Sequence, residues 1–208
     1  LKPGYANWVD VNGDYTISDG IGADDRTFFG DSNPKVVGGF NNLFTYKDFS
    51  LQVLTTFTFG RDIMNQSFAQ RMSNSFFYGS PFDMARRSMG DLEQYNYWKQ
   101  DGDQADYPAF NPYLGLYTWR TGQSMFMEPG WYVRIKNVNL TYRFNPDKHS
   151  WMQRAKLNSL RLYATIDNVM MFQSFSGIDA ERVDGQGYDM ADGYPLPRKI
   201  TLGLQFDF

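Results

Sequence analysis

Apolar and polar side chains alternate along the end of the chain, from Arg198 to Phe208. The odd positions carry charged, polar or small side chains, whereas from position 200 the even positions carry only aliphatic and aromatic ones: Ile200, Leu202, Leu204, Phe206 and Phe208. Successive side chains of a β-strand point to opposite faces, so this pattern predicts a strand with one apolar face and one polar face. The apolar face must be covered by protein or by lipid.

Four earlier runs alternate in the same way, and together they predict five strands, near 36–46, 49–59, 131–144, 158–172 and 198–208. Lys47 and Asp48 form a two-residue turn between the first two. In the third run the apolar positions change from odd to even around Lys136 and Asn137, which a one-residue β-bulge would explain. Helical signals are minor, namely one loop helix within 80–90 and one helical turn within 151–157.

The connections between these strands alternate between long and short. The two-residue turn is followed by a polar stretch of about seventy residues, from Gly60 to Gly130, which is far longer than the loops of compact soluble domains. Transmembrane β-barrels have short periplasmic turns and long extracellular loops. Because five strands cannot close a barrel in lipid, the chain is predicted to be one wall of a larger barrel.

Composition narrows the function. The chain has 208 residues, no cysteine, one histidine and a net charge of -3. These values exclude disulfides, thiolate nucleophiles and His-rich metal sites, and they argue against binding to nucleic acid. No stretch approaches 18 consecutive apolar residues, so a membrane-spanning helix is not expected. We predict no catalytic residue and no enzymatic activity.

Short segments spread over the chain follow one another in a characteristic order: Asp10-Val11-Asn12-Gly13-Asp14, Gly30-Asp31-Ser32-Asn33-Pro34, Gly38-Gly39-Phe40-Asn41-Asn42, Tyr46-Lys47-Asp48-Phe49-Ser50-Leu51, Trp98, Gly102-Asp103, Tyr107-Pro108, Val133-Arg134-Ile135-Lys136-Asn137, Leu160-Arg161-Leu162-Tyr163, Asn168, Gly177-Ile178-Asp179-Ala180-Glu181, Tyr194-Pro195-Leu196-Pro197-Arg198 and the terminal Phe208. In this order they resemble the C-terminal part of the SusC/RagA-type TonB-linked (TonB-dependent) outer-membrane transporters. The resemblance covers nearly the whole chain.

The resemblance implies an all-β fold: the C-terminal antiparallel strands of a barrel of twenty-two strands, with long extracellular loops. It also implies an integral location in the outer membrane of a Gram-negative bacterium. The implied partners are the rest of the barrel and its plug, TonB, outer-membrane lipid, the barrel assembly machinery, and a SusD-like surface lipoprotein that acts as a lid. The plug and the TonB-contacting segment are expected to lie outside these 208 residues. Phe208 is the expected assembly signal.

The opening loop is a candidate calcium site. Oxygen-bearing residues occupy positions 1, 3, 5 and 7 of a calcium-loop pattern, with a later acid as a substitute ligand: Asp10, Asn12, Asp14, Thr16 and Asp19. However, Tyr15 stands where the turn prefers glycine, and Ile21 stands where a bidentate acid belongs. The alternative is an Asx-rich surface turn held by bonds from side chains to backbone amides.

The predicted loops are rich in aromatic residues. Trp98, Tyr107, Tyr113 and Trp119 are the candidate contacts to a substrate or to the lid, although such rings could instead pack the loop against itself. Arg134 and Lys136 lie on predicted lumen faces, where internal ion pairs or contacts to the plug are favoured.

The favoured function is import of a nutrient, either an oligosaccharide or a peptide, by a TonB-dependent transporter that works with a SusD-like lipoprotein. Two alternatives stay open at this point. One is a soluble, secreted carbohydrate-binding β-sandwich, and the other is a segment of a passive porin. The apolar strand faces distinguish the first alternative, because a sandwich buries them in its own interior.

Overall fold

A computed structural model of the chain describes residues 3–17, 24–72, 92–109, 122–189 and 194–208. It contains seven strands: β1 (Val36–Tyr46), β2 (Phe49–Phe59), β3 (Asp62–Met64), β4 (Met127–Pro129), β5 (Tyr132–Phe144), β6 (Ser159–Gln173) and β7 (Lys199–Asp207). The helices are α1 (Gln66–Met72) and α2 (Ser150–Arg154), with 3-10 turns at Leu92–Gln94 and Ser124–Phe126. None of the helices in the described ranges is long and apolar enough to cross a membrane.

The described residues form two compact units. The sheet unit contains residues 33–61, 129–181 and 194–208, and the loop unit contains 3–17, 24–32, 62–72, 92–109, 122–128 and 182–189. A five-stranded sheet with the order β1-β2-β5-β6-β7 occupies the sheet unit, and every neighbouring pair is antiparallel. The predicted all-β, antiparallel fold is confirmed. Each of the five strands begins and ends within one residue of the range expected from the alternation.

The β-bulge predicted in the third run is confirmed. Leu54 pairs with Asn137, but Thr55 pairs with Ile135, so Lys136 is the extra residue on β5. The register between β5 and β6 shifts at the same place. The bulge keeps the apolar side chains of β5 on one face of the sheet although their parity changes along the chain.

The apolar face of the sheet is open at both edge strands. On β7 the side chains of Ile200, Leu202 and Leu204 are 67%, 76% and 64% exposed. No side chain of β1 or β7 is buried. A β-sandwich would pack this face against a second sheet, whereas the described part of the sheet unit has one layer. The arrangement therefore contradicts the sandwich alternative, in which those faces form the interior.

Aromatic rings gather near the two ends of the strands. At one end the rings of Phe49 and Tyr142 lie 4.6 Å apart, and at the other end Phe59 lies 5.6 Å from Phe57 and 6.2 Å from Trp131. Ten residue steps separate Phe49 from Phe59, or about 33 Å along a strand. At the tilt of strands in membrane barrels this spacing corresponds to a band about 25 Å tall, the height of the apolar band that aromatic girdles border.

The opposite face of the sheet is polar, and its side chains are joined across the strands. The donor-acceptor pairs are Gln52 to Asn41 at 3.0 Å, Asn137 to Asp167 at 2.7 Å, Asn139 to Thr165 at 2.6 Å, and Arg161 to Gln205. On the same face an added Cβ at Gly203 would overlap the ring of Tyr163, so glycine allows that ring to lie across the neighbouring strand. These bonds satisfy polar groups on this face of the sheet.

The turns at one end of the sheet are also tied together. Asp48, in the tight turn between β1 and β2, accepts a hydrogen bond from Lys148 Nζ at 2.7 Å. This bond raises the pKa of Lys148 above its ordinary value. Lys148 lies in the connection that leads to α2, so the two short connections of the sheet share an ion pair. The helix predicted within 80–90 lies outside the described residues.

Candidate functional site

The loop unit has its own hydrophobic core, which consists of Met64, Phe68, Ala69 and Phe126. The ring of Phe68 stacks on Tyr95 at 4.7 Å and meets the rings of Tyr107 and Phe126 edge-on, each at 5.5 Å. Phe68 lies on α1, so this cluster fixes the segment 92–109 against that helix. The core therefore determines where the aromatic residues of the long connection lie.

Three polar side chains position α1. Asn65 is buried, and its Oδ1 accepts the backbone N–H of Phe68 at 2.9 Å while its Nδ2 donates to Glu128 Oε1 at 2.8 Å. Asp189 Oδ1 accepts the N–H of Ser67 at 2.9 Å. These bonds satisfy amides at the start of the helix that have no partner within it.

The segment 92–109 folds back on itself. The backbone N–H of Trp98 donates to the carbonyl of Tyr107 at 3.0 Å. At the tip, Asp103 Oδ2 accepts the N–H groups of Lys99 and Gln100, both at 3.0 Å. The Asp103 carboxylate therefore closes this turn by bonding backbone amides that precede it in the chain. The result is that Trp98 and Tyr107 stand side by side on one segment.

A cavity of about 380 Å³ lies beside these two residues. It is lined by residues 4–8, by 98, 103 and 105–108, and by 123–125. The lining includes four aromatic rings and two carboxylates: Tyr5, Trp8, Trp98, Tyr107, Asp103 and Asp106. No lysine or arginine is among the described residues that line it. We call this the aromatic-acidic cavity.

The N-terminal strip of the cavity is held against the ring of Trp98. Gly4 has a φ of +82°, and a Cβ at this position would lie 2.6 Å from that ring. The Gly4 carbonyl accepts the N–H of Ala109 at 2.7 Å. Glycine is required here both by the backbone conformation and by the close approach.

Burial raises the pKa of the Tyr107 phenol above its ordinary value, and the nearby Glu128, Tyr95 and Asp106 raise it further. Tyr107 is therefore neutral at physiological pH, so its hydroxyl can donate or accept a hydrogen bond and its ring adds no charge to the cavity. The negative charge of the lining comes from its two aspartates.

A separate ion-pair network lies within the sheet unit. Arg134 Nη2 is 2.6 Å from Asp179 Oδ1, Arg134 Nε is 2.8 Å from Glu181 Oε2, and Lys136 Nζ is 2.6 Å from Glu181 Oε1. Arg134 and Asp179 are buried. The internal ion pairs expected for Arg134 and Lys136 are thus present, and they fasten the segment that follows β6 to β5.

Two further side chains hold the same segment. Gln173 donates to the carbonyls of Phe175 and Gly177 at 2.9 and 2.8 Å and accepts the N–H of Ala180 at 2.9 Å. Arg61 donates to the carbonyl of Ala180. Burial lowers the pKa of Arg61 from its ordinary value, while Tyr132 and Glu181 act in the opposite direction. These contacts hold residues 175–181 in place beside β5 and the end of β6.

Comparison with known proteins finds relatives along the whole chain. A TonB-dependent receptor of Formosa agariphila is 29% identical over 218 residues, which cover 100% of this chain and 19% of the receptor. A second TonB-dependent receptor of that organism is 29% identical over 215 residues, covering 99% of this chain and 20% of the receptor. Along its whole length the chain is similar to these TonB-dependent receptors. No family model matches it.

The fold of the chain is similar to that of solved transporters. The RagAB peptide transporter covers 85% of the chain, with a TM-score of 0.63 and 21% identity, and the match spans 17% of the transporter chain. The RagAB importer in its closed-closed state has the same TM-score and identity. The predicted resemblance to the SusC/RagA-type transporters is confirmed. The chain spans about one fifth of the length of the curated receptors that it matches.

Two of the four predicted contact residues, Trp98 and Tyr107, line the same cavity. Tyr113 and Trp119 lie outside the described residues, and contact of any of the four with a substrate or lid stays a prediction. Sequence reasoning did not single out Tyr5 or Trp8, because they lie about ninety residues before Trp98 and no local pattern links them.

In the opening loop, the carboxylates of Asp10 and Asp14 accept hydrogen bonds from backbone amides. Asp10 Oδ1 accepts the N–H groups of Gly13 and Asp14 at 2.6 and 3.2 Å, and its Oδ2 accepts the N–H of Tyr15 at 2.7 Å. Asp14 Oδ1 accepts the N–H of Thr16 at 2.7 Å. Tyr15 has a φ of 65°, the conformation that glycine would supply in a calcium loop.

These bonds fit the Asx-rich turn better than a cation site. Both oxygens of Asp10 are used by the backbone, and Asn12 donates to Asp14 Oδ2 at 3.1 Å. Among the described residues no group of three or more His, Cys, Asp or Glu is placed to hold a metal. Asp19 lies outside the described ranges. Phe208 follows the last residue of β7 and is 77% exposed, and its role in assembly stays a prediction.

Proposed function

We propose that this chain forms part of the lipid-embedded wall of a TonB-dependent importer in the outer membrane of a Gram-negative bacterium. The complete receptor would supply the other strands, the plug and the segment that contacts TonB. A SusD-like surface lipoprotein would act as its partner, and the cargo would be an oligosaccharide or a peptide. The proposal assigns no catalytic role to the chain.

The observation that carries this proposal is the amphipathic single-layer sheet. Its apolar face is exposed on the edge strand β7, its opposite face is joined by polar side chains, and aromatic rings cluster near both strand ends. In water such a face would favour aggregation, whereas acyl chains would cover it. The two ring clusters lie about 33 Å apart along the strand, and at the tilt of barrel strands this projects to a height of about 25 Å, the apolar thickness of an outer-membrane barrel.

The comparisons support import as the activity of the complete protein. The sequence relatives are TonB-dependent receptors, and the structural neighbours are RagAB peptide transporters. The neighbours favour a peptide as cargo. The aromatic residues of the cavity are compatible with both classes of cargo, because rings can stack on a sugar or contact a peptide side chain.

Membrane fractionation tests the location of the full-length receptor. We expect it to stay with outer membranes after a high-salt wash and to need detergent for release, since its apolar strand faces contact lipid. Release as a water-soluble monomer would reject the proposal.

Uptake measurements in cells test the activity. Removing the TonB motor is expected to abolish uptake of the nutrient on which expression of the receptor confers growth. Unchanged uptake without the motor would instead identify a passive porin. Deletion of the proposed SusD-like partner lipoprotein is expected to reduce uptake at low nutrient concentration, because the lipoprotein would capture the cargo.

A further inference from the structure

We propose that the aromatic-acidic cavity binds a basic side chain, a guanidinium or an ammonium group, of a peptide cargo. This inference rests on the proposed import function and adds to it a preference of one site for positive charge. Its evidence is the chemistry of the lining, in which four aromatic residues and two aspartates surround a space with no described basic residue.

The rings supply the first part of the argument. Trp8, Trp98 and Tyr107 are each half-buried, and all three line the same cavity. A cation over the face of tryptophan or tyrosine is attracted by the ring quadrupole, and the attraction is largest for tryptophan and in a partly desolvated site. The strip that begins at Gly4 closes one side of Trp98 and reduces the access of water to it.

The carboxylates supply the second part. The bonds that close the turn end on Asp103 Oδ2, and Asn96 reaches Asp106 Oδ2 at 3.3 Å. Among the described residues this leaves Oδ1 of each aspartate for a ligand. Two carboxylates that border one half-open cavity stabilise a cation there and disfavour an anion. Both aspartates are fixed by these bonds, so the site is formed before the ligand arrives.

The size and polarity of the cavity favour a basic side chain over a sugar. A volume of about 380 Å³ lies near the lower limit of small-ligand sites, which suits one side chain better than an oligosaccharide. A neutral sugar would gain hydrogen bonds from the carboxylates but would leave their charge uncompensated. A guanidinium compensates that charge and also stacks on the rings.

Binding of two matched peptides to the full-length receptor in detergent tests this inference. The probes are the capped tripeptide Ala-Arg-Ala and the same peptide with neutral citrulline in place of arginine. Calorimetry measures affinity, and tryptophan fluorescence reports contact near Trp8 and Trp98. We expect the arginine peptide to bind about tenfold more tightly, and its advantage to decrease as salt is raised.

Variants that remove the two carboxylate charges test whether the cavity is the source of the preference for arginine. Asp103→Asn combined with Asp106→Asn keeps an amide oxygen as acceptor for the turn, so the loop is expected to fold. We expect this variant to bind the two peptides with affinities within about twofold of each other. Asp101→Asn is the matched control, since Asp101 lies in the same turn but does not line the cavity. It is expected to keep the tenfold preference.

Several outcomes would overturn the inference: equal binding of the two peptides, no binding of either one, or a preference for arginine that survives in the double variant. Binding of maltotriose that is lost in the double variant would assign the cavity to sugars instead. Uptake in cells separates this failure from failure of the proposed function. If motor-dependent uptake persists without any preference for arginine, only the inference about the cavity is wrong.

Discussion

The sheet unit and the loop unit use aromatic side chains in opposite ways. In the sheet unit, rings such as Phe40 and Phe206 lie on an open face and are 60% and 53% exposed. In the loop unit, Phe68 and Phe126 are buried and pack against other rings. The rings on the strand faces therefore form an exposed surface, whereas Phe68 and Phe126 form a hydrophobic core. Replacing a ring by alanine should therefore cost more free energy of unfolding in the loop-unit core than on the open face of the sheet.

The largest effect is expected for Phe68→Ala. It removes the central ring of the loop-unit core, and such truncations cost about 3 to 5 kcal/mol. Phe40→Ala on the sheet is the matched control. It loses one ring contact, with Phe57 at 5.5 Å, which corresponds to about 0.5 to 1.5 kcal/mol.

Limited proteolysis of the full-length receptor in detergent measures this difference. Cleavage within 92–109 should increase strongly in Phe68→Ala, because that segment packs on the lost ring, and should stay unchanged in Phe40→Ala. Equal sensitivity of the two variants would contradict the contrast between core rings and surface rings.

The second prediction places a charge on each face of β7. Leu202→Arg puts a guanidinium on the apolar face near the middle of the strand, and contact of this face with lipid, as we propose, makes the expected cost about 2 to 4 kcal/mol. Thr201→Arg puts the same group on the opposite face, where water or polar neighbours are expected. We therefore expect only the first variant to lose stability.

Unfolding of the full-length receptor from lipid vesicles by denaturant measures the two free energies. A second readout is electrophoretic mobility, because an unheated, folded barrel migrates differently from the heat-denatured chain. Equal costs would contradict the assignment of the two faces, and a larger cost for Thr201→Arg would reverse it.

The contrast between the units also explains what the sequence could predict. Strand ends and the bulge at Lys136 follow from alternation, because side-chain direction in a strand has a period of two residues and is visible locally. The cavity depends on contacts between segments far apart in the chain. Nothing in the sequence near Tyr5 indicates that residues 4–8 lie beside Trp98. The bond from the backbone of Lys99 to the Asp103 carboxylate likewise depends on the path of the turn, which no local pattern predicts.

A similar limit applies to the ion pairs. The alternation places Arg134 on the polar face, but its partners Asp179 and Glu181 lie in a connection whose path has no periodic signal. Their positions depend on Gln173 and on the backbone bonds that it makes. The prediction of internal ion pairs therefore named one member of each pair and could not name the other.

The third prediction concerns Gly203 on the polar face of the sheet. Gly203→Ala would bring a methyl group into the ring of Tyr163, and such overpacking costs about 1 to 3 kcal/mol. In a Tyr163→Ser background the same substitution should cost little, since the ring is gone. A double-mutant cycle in the vesicle unfolding assay measures the coupling, and additive costs would show that the ring does not depend on glycine.

The smallest effect is expected in the opening loop, and it separates the two interpretations of that loop. Asp10→Ala removes the acceptor of three backbone amides and should cost about 1 kcal/mol, whereas the exposed Asp24→Ala should cost less. If the carboxylates serve only the backbone, adding calcium or a chelator leaves the melting temperature of the full-length receptor unchanged. A bound calcium ion would instead add about 2.7 kcal/mol at a hundredfold excess over its dissociation constant, an effect that Asp10→Ala would remove.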